Sequence, residues 1–269
     1  MSVKKTVAFL SGLFFLACAH AQTLRIGVTP GALADSVRVA AQEAKAQGLD
    51  VKVVEFTDWI IPNLALVSGD IDVNYFQHQA FLDDAIKERG YKLQSVGIGI
   101  LPNIGLYSQK IKRFDELKDG AHVGVANDPV NQGRGLALFE KAGLIKLRDG
   151  VGVRGSVNDI VANPKKLKFV EVEGPQLVRA IEDLDLIQGY PAHFVNAGKA
   201  SMAGSALLLT GVTDTYFAIR FVTRTDHVAD PRIKRFIKIY QDSSAVREQI
   251  SKSYAGNASL YSLPWLTSK

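Results

Sequence analysis

The pattern of hydrophobic and polar positions switches between the strand and helix periods along the first part of the chain. Residues 23–28 and 49–56 alternate as β-strands do, and residues 34–47 between them have the spacing of an amphipathic helix that Gly48 ends. A strand, a helix and a strand in this order form a βαβ unit. The pattern therefore predicts an α/β fold with a parallel sheet, whose binding crevice lies at the carboxyl ends of the strands.

Aromatic rings gather at the next transition from strand to helix. Residues 70–75 alternate as a third strand, and Phe76, His78 and Phe81 follow it, where a charged helix begins. Rings held at this point favour one wall of a ligand site. A packed core cluster, with His78 as a local hydrogen-bond partner, is the alternative. Trp59, in the loop after the second strand, is predicted to lie at the mouth of the same crevice.

The pattern of strand and helix restarts in the middle of the chain. Residues 122–125 are predicted to form a strand, residues 126–134 a polar loop, and residues 135–142 a helix. Free backbone amides at the start of that helix, with Arg134 and Asn131 beside them, suit an anion, and a guanidinium matches both oxygens of a carboxylate. A solvent-exposed surface position is the alternative for Arg134.

The two α/β patterns predict two lobes. After a signal peptide at residues 1–21, lobe 1 is assigned to residues 22–108 and lobe 2 to residues 109–215. The strongly β run that begins at Tyr216 is predicted to return to lobe 1, with C-terminal helices packed on that lobe through residue 269.

The N-terminus has the features of an export signal. A positive start is followed by a short apolar run and by Ala19-His20-Ala21, which fits a signal-peptidase site, and the run is too short to span a bilayer. Cys18 is the one cysteine of the chain. Cleavage after Ala21 predicts a periplasmic protein without cysteine, whereas lipid attachment at Cys18 is the alternative that would anchor the protein to a membrane.

Charge and motifs exclude several classes of function. Removal of the signal lowers Lys plus Arg from 32 to 30 against 27 acidic residues, which leaves about +3, too little to indicate nucleic-acid binding. The histidines lack metal-ligand spacing, and no nucleophile motif or phosphate-binding loop is present. The sequence thus predicts no enzyme, no cofactor and no metal site. A solute-binding protein fits these features best.

Eleven short segments in collinear order resemble the NlpA/MetQ family of methionine-binding proteins. They cover nearly the whole mature chain and read FTDW (56–59), PN (62–63), GDID (69–72), FQH (76–78), RGYKL (89–93), NDP (127–129), NQGR (131–134), LIKL (144–147), DGVG (149–152), NP (163–164) and PQL (175–177).

The resemblance implies a two-lobe periplasmic-binding-protein fold, type II-like, that closes on an amino-acid ligand between the lobes. It implies delivery of methionine, or a related amino-acid-like carboxylate, by a monomer to an ABC permease and its ATPase. Membrane contact would come only through the permease or a lipid anchor. Carried over by position, the ligand-binding residues would be Trp59, Phe76, His78, Phe81, Asn131, Arg134 and Gln188.

Two positions depart from the family pattern. An I-N-x-x-Y-A segment is usual where this chain has Ile187-Gln188-Gly189-Tyr190, and an asparagine is usual at the position of Ile219. Loss of an amide that satisfies a buried charged group costs about 1–3 kcal/mol. Two alternatives follow from these departures, a changed ligand such as another amino acid or a short peptide and a surface role without transport. A periplasmic enzyme with His78 as base is a third alternative, independent of them.

Overall fold

A computed structural model describes residues 23–267 of the chain, so the predicted signal peptide and Cys18 lie outside the described residues. The helices are α1 (Ala32–Ala46), α2 (Ile61–Ser68), α3 (Gln79–Arg89), α4 (Pro129–Lys141), α5 (Leu177–Ala180), α6 (Pro191–Asn196), α7 (Ala200–Ala203), α8 (Pro231–Asp242) and α9 (Ser244–Ser253). Across residues 23–267, no helix combines the length and the apolar character needed to span a membrane.

The strands form two large sheets and two short pairs. They are β1 (Leu24–Val28), β2 (Val51–Glu55), β3 (Val73–His78), β4 (Leu93–Ile98), β5 (Leu101–Pro102), β6 (Gly105–Tyr107), β7 (His122–Ala126), β8 (Lys146–Leu147), β9 (Ile160–Ala162), β10 (Lys168–Val172), β11 (Leu186–Gly189), β12 (Leu208–Leu209), β13 (Ile219–Arg224) and β14 (Tyr261–Ser262). The short pairs are β5 with β14 and β8 with β9.

The first sheet has the order β2-β1-β3-β13-β4. β1 runs parallel to β2 and β3, which is the predicted βαβ arrangement, and β13 runs antiparallel to β3 and β4. Leu24, Ile26 and Val28 of β1 are fully buried. Their core includes Val37 and Ala40 of α1 and apolar residues of α8 and α9, so the C-terminal helices pack on the first lobe.

The second sheet has the order β10-β7-β11-β6-β12. β7 runs parallel to β10 and β11, and β6 runs antiparallel to β11 and β12. The predicted boundary after residue 108 differs from this topology, because β6 already belongs to the second sheet. Three residues of extended chain carry too little periodicity to reveal which sheet they join.

Helix α4 begins earlier than the sequence pattern predicts. It starts at Pro129, not at residue 135, and Asp128 caps it by accepting a hydrogen bond from the backbone N–H of Asn131. Proline is favoured in the first turn of a helix, since its fixed φ is helical and it lacks an N–H that would need a partner. Asn131 therefore lies in the first turn of α4 and Arg134 in the second, and the predicted loop is mostly helix.

Candidate ligand-binding site

A cavity lies between the lobes, at the ends of β3 and β11. Its volume is about 60 Å³. Its lining includes five of the predicted site residues, Trp59, Phe76, His78, Phe81 and Asn131. The other lining residues are Thr29, Pro30, Ala32, Leu33, Gln77, Pro102, Tyr190, Ala192, His193, Ile219 and Tyr254.

The lobe 1 side of the cavity is a wall of rings. The Phe76 and Phe81 ring centroids are 5.8 Å apart at an interplanar angle of 77°, and the His78 imidazole meets the Phe81 ring edge-on at 6.3 Å. Such edge-to-face pairs are a favoured aromatic geometry. The sequence forms this wall because β3 ends at His78 and α3 begins at once, so that Phe81 lies in the first turn of the helix.

His78 joins the two lobes through both of its ring nitrogens. Nδ1 accepts a hydrogen bond from the Phe81 backbone N–H at 3.1 Å, and His78 thereby caps α3. Because Nδ1 accepts, the proton resides on Nε2, which lies 3.1 Å from Oδ1 of Asn131 in lobe 2. Burial and, to a smaller extent, the positive charge of Arg134 lower the pKa of His78 to about 3. The imidazole is therefore neutral at physiological pH.

Arg134 is a buried cation at the edge of this cavity. Its side chain is 5% exposed, and Nη1 donates to the Tyr190 hydroxyl at 3.2 Å, while the guanidinium carbon lies 4.1 Å from the Phe217 ring centroid. Burial lowers its pKa, with smaller opposing contributions from Tyr190, Asp128 and Asp214. Within residues 23–267, no carboxylate oxygen lies within 4.0 Å of its guanidinium nitrogens.

Arg134 is not itself among the lining residues of the cavity, and two of its nitrogens make no hydrogen bond within residues 23–267. Among the described side chains, Arg220 Nε is the one fully enclosed nitrogen or oxygen without a hydrogen-bond partner. The Nε and Nη2 of Arg134 have no partner in residues 23–267, yet they are not enclosed. Burial of an unpaired charge is costly, so this arrangement favours an anion, and a carboxylate fits the planar fork.

Asn131 is held by a small polar network. Its Nδ2 donates to the Asp128 carboxylate at 3.0 Å, and its Oδ1 accepts from the Tyr190 hydroxyl at 2.8 Å as well as from His78. Burial raises the pKa of Asp128, and the hydrogen bonds from Asn131 oppose this rise. The network fixes the first turn of α4 against both walls of the cavity.

Gln188 differs from its predicted place, because it lies outside the cavity. It is fully buried in β11, where Oε1 accepts from the Ala126 backbone N–H at 3.1 Å and Nε2 donates to the Asn131 carbonyl at 2.8 Å. Both ends of the amide are thus engaged by the backbone. Gln188 faces α4 in the strand alternation, and it supports the position of Asn131 from below.

Sequence reasoning missed several residues at this site, namely Tyr190, His193, Phe217 and Tyr254. Trp59 meets the Tyr190 ring edge-on at 6.1 Å and lies 6.4 Å from the His193 ring. The packed surroundings lower the pKa of His193 to about 4. One signal was available: Tyr190 and His193 follow the apolar residues of β11 along the chain, and the crevice of a parallel sheet lies at such strand ends.

The described residues contain no cluster of three or more His, Cys, Asp or Glu side chains that could hold a metal ion. The cavity instead joins an apolar wall of rings to a buried cation and neutral hydrogen-bonding groups. Chemically, such a site can enclose a small apolar group and pair with a single negative charge.

Comparison with known proteins identifies the family. The family model for the NlpA lipoprotein matches residues 24–260. The chain belongs to this family. The resemblance of the eleven sequence segments is thereby confirmed.

Individual members of the NlpA lipoprotein family are similar over nearly their whole length. The D-methionine-binding lipoprotein MetQ of Salmonella typhimurium is 45% identical over 240 residues, which cover 87% of each chain. An ABC transporter periplasmic substrate-binding protein from Coxiella burnetii superposes with a TM-score of 0.79 at 37% identity, over 87% of this chain and 97% of the other.

A nutrient-binding protein from Burkholderia cenocepacia, whose structure contains methionine, superposes with a TM-score of 0.81 at 37% identity, over 89% of this chain and 99% of the other. These likenesses confirm the predicted α/β fold with two lobes, of the kind found in periplasmic substrate-binding proteins.

Proposed function

We propose that the protein is an exported substrate-binding protein that holds methionine, or a related amino-acid-like carboxylate, between its lobes and delivers it to an ABC importer. The proposal is supported by the relatives, since their names describe methionine binding and periplasmic substrate binding for ABC transport. It is also supported by the architecture, because both lobes contribute residues to one cavity.

The observation that carries the proposal is the buried guanidinium of Arg134 without a carboxylate beside it. A buried cation that lacks an internal counter-ion is destabilising until an anion binds. Two parallel N–H groups favour a carboxylate, which accepts both. We therefore assign the carboxylate of the ligand to Arg134 and expect Asn131 to orient that helical turn.

The rings on the lobe 1 side complete the site. Phe76, Phe81 and Trp59 offer apolar faces to a side chain of the ligand. A thioether gains about 0.3–1.5 kcal/mol from contact with an aromatic ring, beyond the burial of its carbon atoms. This wall accounts for an apolar or sulfur-containing side chain in the proposed ligand.

The proposed location is the periplasm, and the proposed partners are an ABC permease and its ATPase. Anchoring through Cys18 remains the alternative to free export, and we expect a monomer that meets the membrane through the permease or that anchor. A catalytic role for His78 is not proposed. Its Nδ1 lone pair is used by the Phe81 N–H and its proton faces Asn131, so neither nitrogen is free to accept a proton.

Substitution of Arg134 tests the carboxylate assignment. We expect Arg134→Ala to weaken binding of L-methionine, or of whichever carboxylate binds, by about a hundredfold, because hydrogen bonds to charged groups contribute about 1.5–3 kcal/mol. Arg134→Lys is the matched control that keeps the charge but loses the fork, so it should give an intermediate loss. Calorimetry that shows the same affinity for all three proteins would reject the assignment.

Native mass spectrometry of the protein as purified tests the ligand class directly. A bound mass that corresponds to methionine or to another small carboxylate supports the proposal. A bound peptide or an uncharged solute would contradict it.

A further inference from the structure

Tyr190 occupies the polar end of the cavity, between Asn131 and Arg134. It follows β11 directly and precedes Pro191, the first residue of α6. Its hydroxyl donates to Asn131 Oδ1 at 2.8 Å and accepts from Arg134 Nη1 at 3.2 Å. The phenol therefore lies beside the guanidinium, a region that the amino group of an α-amino acid would also have to approach if the carboxylate of that acid paired with Arg134.

The two side-chain amide oxygens of the lining, those of Asn131 and Gln77, already accept hydrogen bonds. Asn131 Oδ1 accepts from both Tyr190 and His78. The Gln77 amide, which also lines the cavity, bonds to Asn63 and Asn74. None of the lining residues is an aspartate or a glutamate. The other polar lining groups, Thr29 and His193, are neutral. An α-ammonium group has three N–H donors and one positive charge, and this lining supplies no negative side chain for it.

The electrostatics of the cavity also oppose a second cation. The α-ammonium of an amino acid lies within a few ångströms of its carboxylate, so it would come close to the Arg134 guanidinium. Burial, together with the charge of Arg134, already lowers the pKa of His78, and burial lowers that of His193. Both shifts have the same direction, because these surroundings disfavour added positive charge.

We propose that Tyr190 is a specificity-determining residue that makes the site select apolar carboxylates without an α-ammonium group, as in a 2-oxo acid, over the corresponding amino acid. The inference rests on the proposed function and narrows its substrate class. Arg134 pairs with the carboxylate, the rings of lobe 1 enclose the side chain, and the Tyr190 phenol takes the place of the ammonium. The uncharged oxo group needs no anionic partner.

Two probes that differ only at the α-carbon test this inference. Calorimetry compares 4-(methylthio)-2-oxobutanoate with L- and D-methionine on the full mature chain. We expect the oxo acid to bind about tenfold tighter or more, because the ammonium would be buried without a counter-charge. If either methionine binds as tightly as the oxo acid, the inference is overturned and the proposed function stands. If neither acid binds, both fail.

Two variants separate the role of Tyr190 from general damage. Tyr190→Asn removes the ring and supplies an amide oxygen, and we expect it to shift the preference toward methionine by about tenfold. Tyr190→Phe keeps the ring and only releases Asn131 Oδ1 from the hydroxyl, so it should shift the preference toward methionine less than Tyr190→Asn does. An unchanged preference in Tyr190→Asn, with circular dichroism that shows a folded protein, would overturn the assignment to this residue.

Discussion

At the scale of single residues, His78 shows how one side chain can fix two parts of the site. Its Nδ1 caps the start of α3, and its Nε2 lies within hydrogen-bond distance of Asn131 in the other lobe. Both hydrogen bonds need the neutral Nε2–H tautomer, because a protonated imidazole has no acceptor. The folded protein therefore keeps His78 neutral, and lowering the pH destabilises this state.

We expect the free energy of unfolding to decrease as the pH is lowered through the range in which histidine in the unfolded chain gains a proton. The pKa of His78 is about 3 in the folded protein, against 6.5 in the unfolded chain. The stabilisation that comes from keeping His78 neutral is fully present above about pH 6.5. It is lost between that pH and pH 3, at roughly 1.4 kcal/mol per pH unit. His193 contributes in the same direction, since its pKa is also lowered. Urea unfolding at pH 7, 6 and 5 measures this slope.

The control for this prediction is His78→Asn. Asparagine remains a good helix cap but does not titrate in this range, so the decline between pH 6 and pH 5 should be smaller by about 1.4 kcal/mol. Parallel slopes in the two proteins would show that His78 is not the source of the pH dependence.

The residues of the site were predictable to different degrees. Phe76, His78 and Phe81 stand out because rings rarely cluster at a charged helix start, and the structure brings all three to the cavity. Tyr190 gave no comparable signal, since one tyrosine after a strand is equally typical of a core. Its role depends on Asn131 and Arg134, which are distant in sequence, and only the packing of β11 on α4 brings them together.

At the scale of elements, α4 decides the geometry of the polar end. The sequence favoured a loop through residue 134 because asparagine and glycine are poor helix formers. The Asp128 cap and the packing of α4 on the second sheet outweigh those propensities. Gly133 and Gly135 fit for a steric reason: a Cβ on Gly135 would lie 2.0 Å from Gln188 Oε1, and one on Gly133 would lie 2.2 Å from the Val153 carbonyl oxygen.

We expect Gly135→Ala to destabilise the protein, against the usual trend for a helix. Alanine in a helix interior is normally favoured over glycine by about 1 kcal/mol. Here the added methyl would displace the Gln188 amide, which bonds to Ala126 N–H and to the Asn131 carbonyl, and each lost buried hydrogen bond costs about 1–3 kcal/mol. A net loss of about 1–3 kcal/mol should appear in urea unfolding.

Gly204→Ala is the matched control for this change. The nearest atom to a Cβ at Gly204 is 3.6 Å away, which is an ordinary contact distance. We expect little change in its free energy of unfolding. If Gly135→Ala were as stable as this control, Gln188 would have to move freely, and its assigned support of Asn131 would be wrong.

At the scale of the whole molecule, the lobes meet through polar contacts around the cavity and through one buried apolar cluster that includes Val28 of β1 and Phe194 of α6. Arg154 of lobe 2 forms an ion pair with Asp84 of α3 at 2.7 Å, and His78 bonds to Asn131. Exposed ion pairs contribute little, about 0–1 kcal/mol. A cavity lined by both lobes fits a cleft that opens and closes for its ligand, with movement where the chain crosses between the lobes, near Tyr107 and Tyr216.

The contact between Trp59 and Gly174 offers a direct test of that movement. A Cβ on Gly174 would lie 2.1 Å from Cζ3 of the Trp59 indole, so the two loops meet only because residue 174 is glycine. We expect Gly174→Ala to hold the lobes apart, because the lobes could then close only if the Trp59 ring moved out of its packed position. Ligand binding should weaken by about tenfold or more. X-ray scattering at saturating 4-(methylthio)-2-oxobutanoate or L-methionine, whichever binds more tightly, should show a larger radius of gyration.

The double variant Gly174→Ala with Trp59→Phe separates this clash from strain in the loop. Phenylalanine lacks the outer ring edge that the methyl group would meet. The compact form at saturating ligand should therefore return, although the smaller ring contributes less apolar surface to the cavity. Backbone strain before Pro175 would persist in the double variant, since residue 174 is alanine in both proteins. Recovery of the smaller radius therefore assigns the effect to the Trp59 contact, whereas scattering curves that stay expanded would assign it to the backbone.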